Sequence, residues 1–368
     1  MKKFFFIFLS LSPLLAPAQN RQVLILSDLH VALGKHWDKF YHADTDTALF
    51  ASALRSAGEK KYSLVLMPGD LLRHVGDVGH DTLEMKETYK YITDRVSRID
   101  TNALVLPALG NNDCITHDIP GAATYRIFYD GLLKRIDGSG DIAKTFLTGG
   151  YYAYQKDSLV VIALNSLLFM RKNAQFATEA RAELDWLKQQ LSALRPGQSA
   201  WLFYHVPPGT DRYDDVPSWQ DSIQQAYLSI VKQYAPRIKF QMAGHTHTAD
   251  VRLFTQGGKL SSYLSIAPGL DSRNGNNPAY QVLRYDERKL AVNKITTYYT
   301  DAESGSKWHS FDFKNLGFGF FFDNNNSNKK GPEFMNHYNT CRGTSNTKAG
   351  KPIEWDEAFR SKTIIALP

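Results

Sequence analysis

The chain has 368 residues, 43% of them hydrophobic and 22% charged, with a formal net charge of +6 at pH 7. That balance excludes a disordered chain and supplies enough apolar residues for one large core or two modest ones. The positive charge is mild and no dense Lys/Arg run carries it, so no nucleic-acid-binding module is expected.

Residues 1–18 read as an export signal. Lys2 and Lys3 precede an apolar run from Phe4 to Leu15, and Ala16-Pro17-Ala18 offers small residues before Gln19. The run is too short to span a bilayer of roughly 30 Å, and no Cys follows it to take a lipid. Past Gln19 no stretch is long and apolar enough for a transmembrane segment, so a secreted or periplasmic protein is expected. Of the two cysteines, Cys114 and Cys341, one optional bridge is conceivable, but two do not make a disulfide framework.

From Gln22 to about Tyr299 short apolar runs alternate with helical stretches. Val23–Leu26, Leu64–Met67, Leu104–Leu106, Leu159–Ile162, Trp201–Tyr204 and Phe240–Ala243 suit strands buried on both faces. Amphipathic spacing predicts helices over Glu179–Leu194, with Leu184, Leu187, Leu191 and Leu194 on one face, and over Trp219–Tyr234. Strands alternating with helices predict a layered α/β domain. Asp323–Gly331 is polar and predicts turns, between an aromatic run Phe318–Phe322 and a final segment carrying Trp355 and Phe359. If exposed, that aromatic run would offer an apolar patch for docking on a membrane.

Nearly every predicted strand ends in Asp, Asn or His. Ser27-Asp28-Leu29-His30, Gly69-Asp70, Gly110-Asn111-Asn112-Asp113, Tyr204-His205 and Gly244-His245-Thr246-His247 are the fragments. Ligands bind beyond the carboxyl ends of strands in α/β sheets, so these side chains are expected to converge. Asp-x-His and His-x-His place two donors on one side of an extended segment. Each fragment alone is weak, because a loop His is more often solvated than a ligand; five in consistent positions are not.

In this order the fragments resemble the calcineurin-like metallophosphoesterase superfamily, and most closely the acid sphingomyelinase-like phosphodiesterases. His205-Val206-Pro207-Pro208-Gly209, Ala163-Leu164-Asn165-Ser166, Asn276-Asn277-Pro278-Ala279-Tyr280 and Thr297-Tyr298-Tyr299 add to the likeness. No counterpart of the saposin-like module of acid sphingomyelinase is visible, so soluble diesters are expected to be better substrates than membrane-embedded ones. The resemblance implies β-sheets packed face to face and flanked by helices. It covers roughly Gln22 to Tyr299, so a catalytic domain is expected over residues 19–300. The change of texture after about Tyr299 predicts a C-terminal segment, 301–368, packed on that domain. The resemblance assigns Asp28, His30 and His247 to one metal ion, Asn111, His205 and His245 to a second, and Asp70 to both. Mixed imidazole and oxygen donors suit Zn, Mn or Fe, and the resemblance with the exported location favours zinc. The implied activity is hydrolysis of a small-molecule phosphodiester, of nucleotide or phospholipid type, by a hydroxide that the two ions share.

One position departs from the pattern. Many relatives carry His after the metal-binding Asn, whereas this chain has Asn112, whose amide cannot donate a proton near neutral pH. His74, four residues after Asp70, and His117, six after Asn111, are the candidates to protonate the leaving group. A Gly-Asn-Asn-Asp run with such a His also resembles the vacuolar endopolyphosphatases, which raises phosphoanhydride hydrolysis as a second activity. A metal-stabilised binding protein with lost catalysis is the third reading.

Overall fold

The computed structural model describes residues 20–34, 44–212, 215–273, 276–301, 307–313, 317–322, 324–342 and 353–368. The expected export signal lies outside the described residues. In chain order the strands are β1 (Asn20–Ile25), β2 (Leu64–Met67), β3 (Leu104–Pro107), β4 (Tyr152–Lys156), β5 (Leu159–Ala163), β6 (Ser199–Phe203), β7 (Ile238–Ala243), β8 (Asp250–Gln256), β9 (Lys259–Ile266), β10 (Ala279–Asp286), β11 (Ala291–Thr300), β12 (Trp308–Phe313) and β13 (Ile364–Ala366).

They form two sheets. One has the order β12-β11-β10-β1-β2-β3 and the other β13-β8-β9-β7-β6-β5-β4. Each holds a parallel run, β1-β2-β3 at one end of the first sheet and β5-β6-β7-β9 within the second. All residues of β2, β5 and β6 are buried, as expected of apolar runs covered on both faces. Trp201 of β6 ties the sheets together: its ring meets Tyr285 of β10 edge-on at 5.0 Å, and its Nε1–H donates to the Leu290 carbonyl at 2.8 Å. The layered α/β expectation holds.

The predicted helices occur as Ala177–Ser192 and Asp221–Tyr234, shifted by about two residues, the usual uncertainty of helix ends. Between Asp250 and Tyr299 strands do not alternate with helices as expected; β8–β9 and β10–β11 are antiparallel pairs. The polar stretch expected to turn is instead the start of a helix, Asn324–Arg342, with Pro332 inside it. Phe334, Met335, Tyr338 and Cys341 are buried at helical spacing and drive it, so tertiary packing overrides the local polarity.

Phe318 and Phe321 are buried in a cluster with Phe334, Tyr338 and Phe359, and Phe320 and Phe322 are half-buried against it, so the aromatic run serves mainly as interior packing. Cys114 and Cys341 are both free and buried, in different clusters of the interior, and the optional bridge is not formed. No helix among the described residues is long and apolar enough to cross a membrane.

Candidate metal centre

The parallel strands of both sheets end at one place, and the loops that follow them carry the site. Three backbone bonds lock these loops together: Asp28 N–H to Gly69 O at 3.1 Å, His30 N–H to Asp70 O at 3.0 Å, and Gly244 N–H to His205 O at 2.9 Å. Approach is so close that a Cβ on Gly110 would lie 2.1 Å from the Asp70 nitrogen, and one on Gly244 would lie 2.3 Å from Ser27 Oγ. Glycine is therefore required at both positions. Asp28, His30, Asp70, His245 and His247 all have positive φ, between 41° and 75°. Non-glycine residues held there cost about 1–3 kcal/mol each, and such strain concentrates at functional sites.

Asp28, His30, Asp70 and His247 form one group of converging donor atoms, and Asp70, His205 and His245 a second. One oxygen, Asp70 Oδ2, lies 3.4 Å from His30 Nε2 and 3.3 Å from His205 Nε2. In the first group His247 Nε2 lies 3.3 Å from His30 Nε2 and 3.4 Å from Asp28 Oδ1. In the second, Asn111 Oδ1 lies 2.8 Å from His205 Nε2 and 3.1 Å from His245 Nδ1.

These distances fit metal ions. His30 Nδ1–H donates to the Leu72 carbonyl at 3.0 Å, and His205 Nδ1–H to the Pro68 carbonyl at 2.9 Å. Their Nε2 atoms therefore face inward, each offering a lone pair when the ring is neutral. His247 turns its Nδ1 to Asp271 Oδ1 at 2.6 Å, which leaves its Nε2 3.3 Å from that of His30, beside the Asp28 and Asp70 carboxylates. Tetrahedral ligation at about 2.0–2.2 Å sets neighbouring donors about 3.3–3.6 Å apart. The pairs among Asp28, His30, Asp70, His205, His245 and His247 given at 3.3–3.4 Å match. Asn111 Oδ1 sits closer, at 2.8 Å and 3.1 Å from its two imidazoles.

Charge follows the same division. Burial alone would raise the Asp70 carboxyl, but His205, His30 and Asn112 hold it well below the usual range. Burial lowers His205 and His247, yet Asp70 raises the first to about 9, and Asp271 with Asp28 raises the second to about 10. Burial and His205 push His245 down to about 4. Without metal, protons on His205 and His247 take the place of positive charge that a divalent ion would bring.

Above the donors opens a cavity of about 700 Å³ lined by Asp70, His74, Asn111, Asn112, His117 and His245, among others. All the residues expected from sequence are thus brought together, with Asp28, His30 and His205 fully buried beneath. The three unassigned residues sit differently. His74 stacks on His30 with ring centroids 3.8 Å apart, and its Nδ1 lies 2.6 Å from Asp44 Oδ1. Asn112 donates its backbone N–H to Asp70 Oδ1 at 2.8 Å and its Nδ2–H to Asp70 Oδ2 at 2.7 Å. His117 Nδ1 lies 3.0 Å from Asp118 Oδ2, and its Nε2 accepts from Asn111 Nδ2 at 3.0 Å. Asp118 raises His117, while the Asn111 amide opposes a proton at Nε2.

Several carboxylates have roles that only the folded chain reveals. Asp113, the last residue of the Gly110–Asp113 fragment, accepts from Gly110, Asp70, Leu71 and Leu72 N–H at 2.9–3.2 Å and so braces two loops. Burial and neighbouring Asp70 raise it to about 7. Asp44, Asp118, Asp211 and Asp271 stand behind His74, His117, His245 and His247, and none carries a local signal.

Comparison with known proteins agrees with this geometry. A model of the calcineurin-like phosphoesterase family matches residues 21–249. The acid sphingomyelinase-like phosphodiesterase 3b of Homo sapiens is 25% identical over 294 residues, 73% of this chain and 65% of that protein. A cyclic GMP-AMP phosphodiesterase of Bos taurus is 26% identical over 289 residues, 72% of this chain and 64% of that protein. The chain therefore spans just under two thirds of the length of either relative. The solved structure of PhoD superposes with a TM-score of 0.50 at 12% identity, covering 87% of this chain and 79% of that one, a likeness of fold alone.

Proposed function

Because the chain belongs to the calcineurin-like phosphoesterase family, we propose that it is an exported phosphodiesterase that works with two metal ions. Asp28, His30 and His247 would hold one, Asn111, His205 and His245 the other, with Asp70 shared between the two groups. The observation that carries the reading is the single Asp70 oxygen within 3.4 Å and 3.3 Å of imidazole nitrogens from both groups. Nitrogen and oxygen donors together suit Zn, Mn or Fe better than Ca or Mg, and zinc is our choice. When bound, the two ions supply the activated nucleophile and neutralise the phosphate oxygens.

The protein's own residues do the rest. Asp44 accepts from His74 Nδ1–H, which leaves His74 Nε2 as the atom that hands a proton to the departing oxygen. Asn112 holds both oxygens of Asp70, and His117 holds the Asn111 amide so that its Oδ1 faces His205 and His245. Both are positioning residues in this reading. Arg171 and Lys172 line the cavity and suit an anionic diester. The names of the relatives make nucleotide and phospholipid-type diesters the substrate classes to try first.

The test is an assay of the purified protein with bis-p-nitrophenyl phosphate, p-nitrophenyl phosphate and polyphosphate, with and without a chelator, beside metal analysis. Metal-dependent turnover of the diester is expected. Polyphosphate turnover in its place would make the protein a phosphoanhydride hydrolase, and turnover of none a metal-stabilised binding protein. Export is tested by the mass of the mature chain, expected to begin at Gln19.

A further inference from the structure

The C-terminal segment reaches the cavity through one buried side chain. Asp211 and the run Val216-Pro217-Ser218 line the cavity, with Asp211 Oδ2 3.8 Å from His245 Nε2. The loop is closed on itself by Asp211 N–H to Val216 O and Ser218 N–H to Gly209 O, both at 2.8 Å. Arg212 follows Asp211, and its side chain is 7% exposed. Its Nε donates to Asp250 Oδ2 at 2.7 Å and its Nη2 to Thr363 Oγ1 at 2.6 Å. The guanidinium lies 3.9 Å from the centre of the Phe359 ring.

Thr363 and Phe359 belong to the C-terminal helix Glu357–Thr363. Lys362 of that helix pairs with Asp215 of the loop at 2.6 Å. Ile365 of β13 packs on Gly209, its Cδ1 3.0 Å from where a Cβ would stand. The contacts on the far side of the loop thus converge from a segment about 150 residues away in sequence.

Stability gives little reason for this arrangement. Arg212 and Arg252 share Asp250 in the interior, two buried positive charges on one negative. Apolar replacements of such triads are often neutral or stabilising. What a buried guanidinium does supply is fixed direction, because its planar fork admits few geometries.

We propose that Arg212 is a positioning residue through which the C-terminal segment sets the cavity wall of Asp211 and Val216–Ser218, and so selects which diester substituents the cavity accepts. The inference rests on the phosphodiesterase reading above.

The test uses the full chain loaded with zinc and substitutions remote from the donors: Lys362→Gln with Thr363→Val, and Thr363→Ser as the conservative control. Kinetics are compared for methyl p-nitrophenyl phosphate, a small diester, and thymidine 5′-p-nitrophenyl phosphate, a large one. Amide exchange is followed at Asp211 and Ser218. The double variant is expected to raise KM for the large diester about tenfold relative to the small one while kcat stays within about twofold, since small displacements of a wall act on binding geometry. Its loop amides should exchange faster, and Thr363→Ser should behave as the parent. Unchanged KM ratios and exchange would overturn the proposal. So would an equal fall in kcat for both diesters with a lower Tm, the mark of mere structural support. Absence of diester turnover in the parent would count against the phosphodiesterase reading, and exchange at the loop would still judge the clamp.

Discussion

The Nδ1 of His247 lies 2.6 Å from Oδ1 of Asp271, while its Nε2 faces Asp28 and His30 at 3.4 Å and 3.3 Å. Although burial disfavours the charged ring, Asp271 and Asp28 keep it protonated up to about 10 in the metal-free chain. Stabilisation from this pair is complete below the unfolded value of about 6.5 and is lost as pH rises through about 10. Metal must displace that proton, so metal uptake should tighten with rising pH. Asp271→Asn should weaken metal retention about 10–100-fold, the usual cost of removing a carboxylate behind a ligating His. Calorimetric metal titration in two buffers checks both affinity and protons released. Undiminished retention would reduce Asp271 to a packing role.

Asn112 occupies the position where many relatives carry His, and its two N–H groups hold both oxygens of Asp70. Asn112→Ala keeps the backbone bond and removes the bond to Oδ2, the oxygen shared by both donor groups. Metal content should fall and turnover with it, whereas Asp70→Asn should strip the pair and abolish turnover. Metal analysis of both variants decides this. An Asp70→Asn protein with two ions and full activity would contradict the bridging role.

The parallel strands and the seven candidate donors left local marks: apolar runs of three or four residues with Asp, Asn or His just beyond them, and Gly beside Asp70, Asn111 and His245. What stands behind the donors left none. Asp44 is 30 residues from His74, so only folding brings it there. The β8–β9 pair was obscured because Asp250 and Arg252 look like surface alternation, yet both are buried and paired with each other. The helix Asn324–Arg342 was hidden by an Asn-rich start and Pro332, while its apolar face lies entirely in its second half.

Glu183 gives a stability prediction independent of metal. Its Oε1 accepts the Asn165 N–H at 2.7 Å, its Oε2 has no hydrogen-bond partner among the described residues, and the side chain is fully buried. Burial raises its carboxyl well above the ordinary value, with the Asn165 N–H opposing. The folded state therefore keeps a proton that the unfolded state releases near pH ~4.3, so stability falls as pH rises above that point. Glu183→Gln retains the acceptor and removes the titration. Its Tm should match the parent near pH 4 and exceed it increasingly above, by about 2 °C or more per kcal/mol gained. A variant less stable at every pH would show that the ionised carboxylate is the favoured form.

The last prediction separates His74 from His117. Asp44 holds His74 at Nδ1, and the ring stacks on His30 at 3.8 Å, so its free nitrogen stands beside the donors. His117 instead spends Nδ1 on Asp118 and Nε2 on the Asn111 amide. If His74 supplies the leaving-group proton, its loss must matter most where the leaving group needs help. p-Nitrophenolate departs as a stable anion and needs little, whereas a ribose or glycerol alkoxide needs the proton, and general acid catalysis contributes about 10²- to 10⁴-fold. His74→Gln should therefore slow alkyl diesters by that order and p-nitrophenyl diesters far less, with metal content unchanged. His117→Gln should behave otherwise. Released from Nε2, the Asn111 amide is free to rotate, so occupancy of the ion beside His205 and His245 should fall, and both substrate types should slow together until metal is added in excess. Rates on paired alkyl and aryl diesters, with metal content measured on the same samples, distinguish the two roles. A leaving-group dependence in His117→Gln with full metal content would move the acid to His117 and leave His74 as the support beneath His30.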